Sequence, residues 1–382
     1  MLIWSNYIQK IPILGQVYKN HYFAWKRSYI NFLRISGIRP GPIVVHWLAT
    51  YRCNSRCVYC EASANDVNCE ELRTEQIKKV LDELEELKVR HFFVSGGEPL
   101  MREDLFDVLD YAKQRGMLVA MITNSLLYDK FKDQIKNAGF RSIWTSIDGL
   151  YETHNRNRRY PDAYQITLDA IRYYTEIKIP LRVVNTLVHP GNYNELPKLF
   201  QQLREAGINR WRLALAIPVG RASDDNWALS PNQIEELFYY VENIRKDFDV
   251  ELSEELGYLG CMDISTRNSP FICPSGLTFC VIMPDGHVLP CQVVYDIKYS
   301  QANVKETPFK EIWKNGFKSF RHVKLEGECS ICIHRKACGG GCWGQRVTQG
   351  KCLRGIWDPK NYGHERTGKS AELKGSHKAN QT

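Results

Sequence analysis

The sequence predicts an α/β protein: a parallel sheet with crossover helices, followed by a smaller cysteine-rich unit. Three observations predict it. Short apolar runs alternate with amphipathic, charge-rich segments from Ile43 to Ile217, the pattern of repeated βα units. Beyond Cys261 that alternation gives way to short strands, Gly and Pro turns and clustered cysteines. The 382 residues also exceed the size at which a single core usually splits, so one large domain and a smaller one are expected.

Residues 1–42 set Tyr22, Phe23, Trp25, Tyr29, Phe32 and Leu33 among basic residues and end at Gly37, Pro40, Gly41 and Pro42. This fits an amphipathic helical extension stopped by turn residues. Packing against the main domain is its expected role, with peripheral membrane or partner contact the alternative. The strands expected next are Ile43 to Ala49, His91 to Ser95, Leu118 to Thr123, Ser142 to Ile147, Leu181 to Val188 and Arg210 to Ile217. Between them lie the helices Thr74 to Lys88, Leu105 to Arg115, Lys130 to Ala138, Ala163 to Ile177 and Leu196 to Ala206. Residues 43–222 therefore form one parallel unit, and periodicity alone leaves a doubly wound sheet and a partial barrel both open. In a bridging segment, 223–260, Ser230 as N-cap and Pro231 at the first helical position open a helix that runs to Phe248. Residues 261–358 form the cysteine-rich unit, and 359–382, rich in Lys, Ser, Gly and Asn, read as a disordered basic tail.

With 43% hydrophobic and 25% charged residues, most of the chain is expected to fold. The net charge of +8 gathers partly at Lys19 to Arg34 and Lys360 to Lys378, not in one stripe, so nucleic acid is not the expected partner. No window offers the roughly 18 to 20 uncharged apolar residues of a spanning helix, and the start lacks the order of a signal peptide. A cytoplasmic location follows as an expectation. In a reducing cytosol, eleven of the thirteen cysteines, all but Cys69 and Cys261, gather at 53–60, 273–291 and 329–352 and point to metal ligation before disulfides.

Cys53, Cys57 and Cys60 follow the first strand, where parallel α/β sheets collect their chemistry. Three thiolates from one loop can converge on one centre, and a four-iron cube held by three leaves one iron open; zinc is the competing occupant. The run Cys53-Asn-Ser-Arg-Cys57-Val-Tyr-Cys60 resembles the signature loop of the radical S-adenosylmethionine superfamily, including the aromatic Tyr59. That resemblance implies a partial (β/α)6 TIM-like barrel. It also implies a 4Fe–4S cluster whose open iron is chelated by the methionine end of S-adenosyl-L-methionine, and reductive cleavage to a 5′-deoxyadenosyl radical.

Ser95-Gly96-Gly97-Glu98-Pro99 closes the second strand, where the family has a turn at the methionine amino group. Glycines admit a close ligand, and Glu98 can pair with an ammonium. Further along, Thr123-Asn124 and Ser146-Ile-Asp148-Gly149 end the third and fourth strands. His154-Asn-Arg-Asn-Arg158 is similar to the family's His-Asp-x-x-Arg segment, with Asn155 departing from it. The resemblance implies that Asn124 borders the cofactor and that Ser146 and Arg158 take its carboxylate. An Asp148 loop cap and a surface role for Arg158 are the plainer alternatives.

Cys329, Cys332, Cys338 and Cys342 are spaced by two, five and three residues, with Cys352 beyond; upstream, Cys273, Gly286 and Cys291 complete a pattern similar to that of the SPASM domain. The resemblance implies two auxiliary 4Fe–4S clusters, three clusters in all. One would use Cys273, Cys291 and Cys342 with Cys280 as expected fourth ligand, an open site being the alternative; the other would use Cys329, Cys332, Cys338 and Cys352. A structural zinc module is the competing reading. Of the two spare cysteines, both read first as small core residues, and Cys261 is the sharper candidate as a hydrogen-atom donor.

The expected activity is hydrogen abstraction from a substrate, with auxiliary clusters taking up an electron. Similar enzymes imply a ribosomally made peptide as first expectation, then a small molecule or tetrapyrrole; a non-catalytic iron–sulfur or zinc scaffold is the reading of another class. A flavodoxin- or ferredoxin-like reductant is implied. Forty-two residues ahead of the barrel are too few for a fused leader-recognition domain, so a separate recognition protein, or a substrate that is no leader peptide, is expected.

Overall fold

The computed structural model describes residues 12–36, 38–223, 227–260 and 262–350; Cys261, Cys352 and the tail 359–382 lie outside the described residues. A helix α1 (Pro12–Ser36) leads into β1 (Val44–Leu48), α2 (Thr74–Glu86), β2 (His91–Ser95), α3 (Leu105–Gln114), β3 (Leu118–Ile122), α4 (Lys132–Asn137) and β4 (Ser142–Ser146). There follow α5 (Tyr151–Arg158), α6 (Ala163–Glu176), β5 (Leu181–Val188), α7 (Leu196–Ala206), β6 (Arg210–Leu215), α8 (Pro231–Ile244), β7 (Val250–Leu252), β8 (Phe279–Ile282) and β9 (Val288–Leu289). The six expected strands and the helices between them are all present. Ser230 caps α8, its hydroxyl accepting from the Gln233 N–H.

These strands form one sheet in the order β7-β6-β5-β4-β3-β2-β1-β8-β9. Every pairing is parallel except β8 with β9. β7 and β9 are its edges, so the barrel stays open. Alternate residues of each strand face opposite sides. Val45, Trp47, Phe92, Val94, Val119 and Met121 pack under the helices with Ile77, Leu81, Val108 and Leu109. Val184, Trp211 and Leu213 pack with Leu199, Leu203, Leu237 and Phe238. The other parity, including His46, Phe93, Ser146, Asn185 and Arg212, is left to the inner face.

Three features go beyond the sequence reading. The segment expected to bridge contributes β7, which pairs with β6 through Arg212 and Glu251. The cysteine-rich half contributes β8, which pairs with β1 from Val44↔Phe279 to Trp47↔Ile282. Helix α5 was not expected because it buries Thr153, His154 and Asn157, polar residues that leave no apolar period.

Helix α1 packs on the cysteine-rich half of the chain. Ile30 and Leu33 bury against Leu277, Arg27 pairs with Asp263 at 3.3 Å, and Arg39, just beyond the helix, reaches His322 at 3.2 Å. Among the described residues no helix is long and apolar enough to cross a membrane.

Candidate active site

The loop after β1 is held from three directions. Asn65 clamps Cys53, its side-chain oxygen accepting the Cys53 N–H at 2.8 Å and its amide donating to the Cys53 carbonyl at 2.8 Å. Arg221 donates to the carbonyls of Cys57 at 2.8 Å and Ala64 at 3.1 Å, and pairs with Asp66 at 2.6 Å. Gly220, beside it at φ +58°, lies so close that a Cβ would meet the Cys60 carbonyl at 2.4 Å. Neither Asn65 nor Arg221 was singled out from sequence; a Gly-Arg pair after the sixth strand is the one local signal that could have marked Arg221.

The Gly96–Pro99 turn extends the β1–β2 pairing, with Gly97 N–H donating to the Thr50 carbonyl at 2.7 Å and Glu98 N–H to that of Arg52 at 2.8 Å. A Cβ on Gly96, at φ +135°, would meet the Thr50 carbonyl at 2.4 Å, and one on Gly97 the Arg52 carbonyl at 2.3 Å. Glycine is required here for backbone approach. Glu98 is fully buried and accepts from Leu100 N–H at 3.2 Å, Thr123 hydroxyl at 2.8 Å and Asn124 N–H at 2.8 Å. Burial pushes its carboxyl up to about 7 against these hydrogen bonds. Pro99 opens a buried 3-10 turn. Asn124 turns its amide to Asn54 at 2.7 Å and toward the Cys53 thiol at 3.7 Å.

Tyr59 and Arg158 both donate to the buried Asp148 carboxylate, and the guanidinium lies 5.6 Å from the Tyr59 ring centroid. Burial alone would raise Asp148, but the adjacent Arg158 charge holds its carboxyl below the ordinary range, helped by His154, Tyr59 and the Leu187 N–H. Arg158 also points one Nη at the Cys57 thiol, 3.6 Å away, so it is no surface charge. Asn155 accepts the Tyr164 N–H at 2.9 Å, a local contact between α5 and α6. Ser146 ends β4 half-buried, in register with Asn185.

In the C-terminal half, burial pushes the Cys291 thiol well up and Cys342 up to about 12; the charges of Cys273 and Cys342 add to the first shift and that of Cys273 to the second. Cys280, expected with them, is fully buried in the apolar core under β8, a core on which Cys273 and Cys291 also pack, and has Arg321 as its charged neighbour. The parity of β8 sends Cys280 to the helix side, whereas Val281 faces Leu48. Cys329, Cys332 and Cys338 are half-buried around the short helical turns Glu328–Ile331 and Arg335–Cys338, and Cys332 Sγ accepts the His334 N–H at 3.4 Å. Cys69 packs with Leu48, Tyr51 and Val281 as a small core residue.

Between the two thiol groups lies a charged patch that the sequence did not reveal. Arg212, from the inner face of β6, pairs with Glu254 at 2.5 Å and Glu255 at 3.5 Å. Glu61, the residue after Cys60, is pushed up to about 8 by burial and by the Glu255 charge, against Arg212. Glu255 is felt in turn by Cys291 and Cys342, and Tyr295 feels Glu61, Cys60 and Cys291.

The thiols suit a polynuclear cationic centre. Burial pushes Cys53 up to about 12 and Cys60 upward, so thiolates persist there only when a positive centre replaces the lost water. No set of three or more Cys, His, Asp or Glu among the described residues closes tightly enough for a single ion. A four-iron cube spreads its thiolates over separate irons and holds them farther apart than one tetrahedral zinc.

Residues 47–203 match the radical SAM superfamily, and residues 273–334 match SPASM, an iron–sulfur cluster-binding domain. The chain is 30% identical over 322 residues to the AdoMet-dependent heme synthase of Methanosarcina barkeri, covering 78% of this chain and 91% of that one. It is 29% identical over 311 residues to the PqqA peptide cyclase of Bradyrhizobium diazoefficiens, covering 79% and 81%. In structure it is similar to Streptococcus suis SuiB bound to S-adenosylmethionine, at TM-score 0.69 and 16% identity over 87% of this chain and 81% of that one. The chain belongs to the radical SAM superfamily and, within it, to the enzymes that carry a SPASM domain. It is an enzyme of S-adenosylmethionine and iron–sulfur clusters.

Proposed function

We propose that this enzyme oxidises a ribosomally made peptide, forming a crosslink or an unsaturated bond at a carbon from which hydrogen has been removed. Cys53, Cys57 and Cys60 hold the radical-generating cluster, Cys273, Cys291 and Cys342 one auxiliary cluster, and Cys329, Cys332, Cys338 and Cys352 the other, three in total. S-adenosylmethionine on the first cluster supplies a 5′-deoxyadenosyl radical. Gly96, Gly97, Glu98 and Pro99 shape the wall at its methionine end. Asn124, Ser146 and Arg158 border it, with Tyr59 and Asp148 fixing the Arg158 guanidinium. Glu61, Arg212, Glu255 and Tyr295 orient the substrate between the two cysteine groups.

The observation that carries the peptide reading is the charge of that patch. Arg212 is engaged by two carboxylates, Glu254 and Glu255, which leaves one negative charge in excess, and Glu61, pushed up to about 8, adds a largely protonated carboxyl beside them. Such a wall accepts amide N–H donors and cationic side chains and repels polycarboxylates. The PqqA peptide cyclase similarity points the same way. The Methanosarcina barkeri heme synthase similarity, which covers 91% of that enzyme, favours a second reading, oxidation of a tetrapyrrole. A cytoplasmic location, a flavodoxin- or ferredoxin-like reductant and a separate leader-recognition protein complete the proposal.

The test is anaerobic turnover of the reconstituted enzyme with S-adenosylmethionine and reductant. One arm offers the short peptides encoded beside its gene, the other an iron porphyrin bearing propionate side chains. Loss of two hydrogens from a peptide, matched by 5′-deoxyadenosine, supports the first reading. Conversion of the porphyrin with no change in any peptide replaces it with the second.

A further inference from the structure

Helix α1 ends on a side chain that neither the cofactor loop nor the barrel uses. Ile30 and Leu33 anchor the helix on Leu277, and Tyr29 and Ile272 pack around them. Arg34 follows directly and enters a narrow cavity lined by Cys273, Ser275, Gly341, Trp343 and Arg346. Its Nε is buried and has no hydrogen-bond partner among the described residues. Its Nη1 lies where a Cβ on Gly339 would be 2.9 Å away, and Arg346 lies in the same way against Gly340, at 2.4 Å. Gly339, Gly340 and Gly341 all have positive φ, of +60°, +91° and +72°, so the run between Cys338 and Cys342 lets two guanidinium groups approach the backbone.

A buried guanidinium with an idle donor is costly unless an anion faces it. Burial disfavours the Arg34 charge, and Cys273 is the group that favours it. We propose that Arg34 is a positioning and tuning residue for the centre held by Cys273, Cys291 and Cys342, donating from the N-terminal helix to its thiolate or sulfide sulfur. The N-terminal extension is then part of the auxiliary site. Net charge and hydrogen bonds to sulfur set cluster potentials. A cation beside the centre favours its more negative, reduced form, so Arg34 raises its potential and makes it a better electron acceptor.

This rests on the reading that these thiols hold an iron–sulfur cluster. The test uses the full chain with Cys53→Ala/Cys57→Ala/Cys60→Ala, reconstituted anaerobically, so that only C-terminal centres give signals in potentiometric EPR. Arg34→Gln is expected to shift one of the two signals to lower potential by about a tenfold change in the reduced-to-oxidised ratio, 59 mV for one electron. Arg34→Lys, which keeps the charge and loses the fork, should shift the same signal less. An unshifted Arg34→Gln protein with its full iron overturns the proposal. If Arg34→Gln fails to hold iron, Arg34→Lys decides: a downward shift supports the role, and full iron at unchanged potential shows mere packing. A parent protein with no C-terminal iron–sulfur signal overturns the cluster reading and this proposal together, an outcome distinct from an unmoved potential.

Discussion

The backbone N–H of Asn124, at the end of β3, donates to the Glu98 carboxylate at 2.8 Å. With the Thr123 hydroxyl and the Leu100 N–H on the other oxygen, this bond ties the Gly-Gly-Glu turn to the neighbouring strand. Glu98 thereby fixes the turn that we propose borders the methionine end of S-adenosylmethionine. Glu98→Gln keeps the shape but points an amide at a donor. It is expected to cost about 1–3 kcal/mol, the penalty of an unsatisfied buried group, and to weaken S-adenosylmethionine binding. Denaturant unfolding beside a ligand titration checks this; unchanged stability would show that the turn needs no carboxylate.

Arg221 offers a second test, because it reaches the cysteine loop from 155 residues or more away. It satisfies the carbonyls of Cys57 and Ala64 and the Asp66 carboxylate. Arg221→Ala strips those partners and should loosen the loop by about 1–3 kcal/mol. Reconstituted protein would then lose iron to a chelator faster than wild type, with Arg221→Lys between the two. Equal rates for all three would show that Asn65 and the glycine contacts suffice.

His46 gives the pH dependence. It is buried between Gln292, at 3.0 Å from Nδ1, and Ser95, at 2.5 Å from Nε2, and burial lowers its pKa to about 4 against the Gln292 hydrogen bond. The unfolded chain takes up this proton near pH 6.5 and the folded chain only near pH 4. Its contribution is therefore complete above pH 6.5 and lost as the pH falls toward 4, by at most about 3 kcal/mol. Urea unfolding at pH 7 and pH 5 should show a smaller drop for His46→Asn than for wild type; equal drops would assign the slope to other groups.

How legible each residue was depends on how local its signal is. Cys53, Cys57 and Cys60 occupy one loop and Gly96 to Pro99 one turn, so spacing alone draws attention to them. Arg158 was readable in the segment His154 to Arg158, yet not its fixation by Asp148 and Tyr59, which brings the end of α5 together with the turn after β4 and the cysteine loop after β1. The surroundings of Cys280 were hidden for a related reason. The resemblance implied it as a fourth ligand, but only strand parity and the pairing of β8 with β1, in which Val45 is opposite Cys280, show its side chain to be buried in the apolar core.

The sequence by itself determined the parallel α/β frame, because apolar periodicity is a property of consecutive residues. For the same reason it determined which cysteines lie close along the chain. Tertiary structure alone decided that β8 joins the main sheet, that α1 crosses to the cysteine-rich half, and that Glu61, Arg212 and Glu255 meet between the two thiol groups. Each of those pairings links residues tens to hundreds of positions apart, and its energy comes from burial and charge compensation that exist only after the sheet has formed.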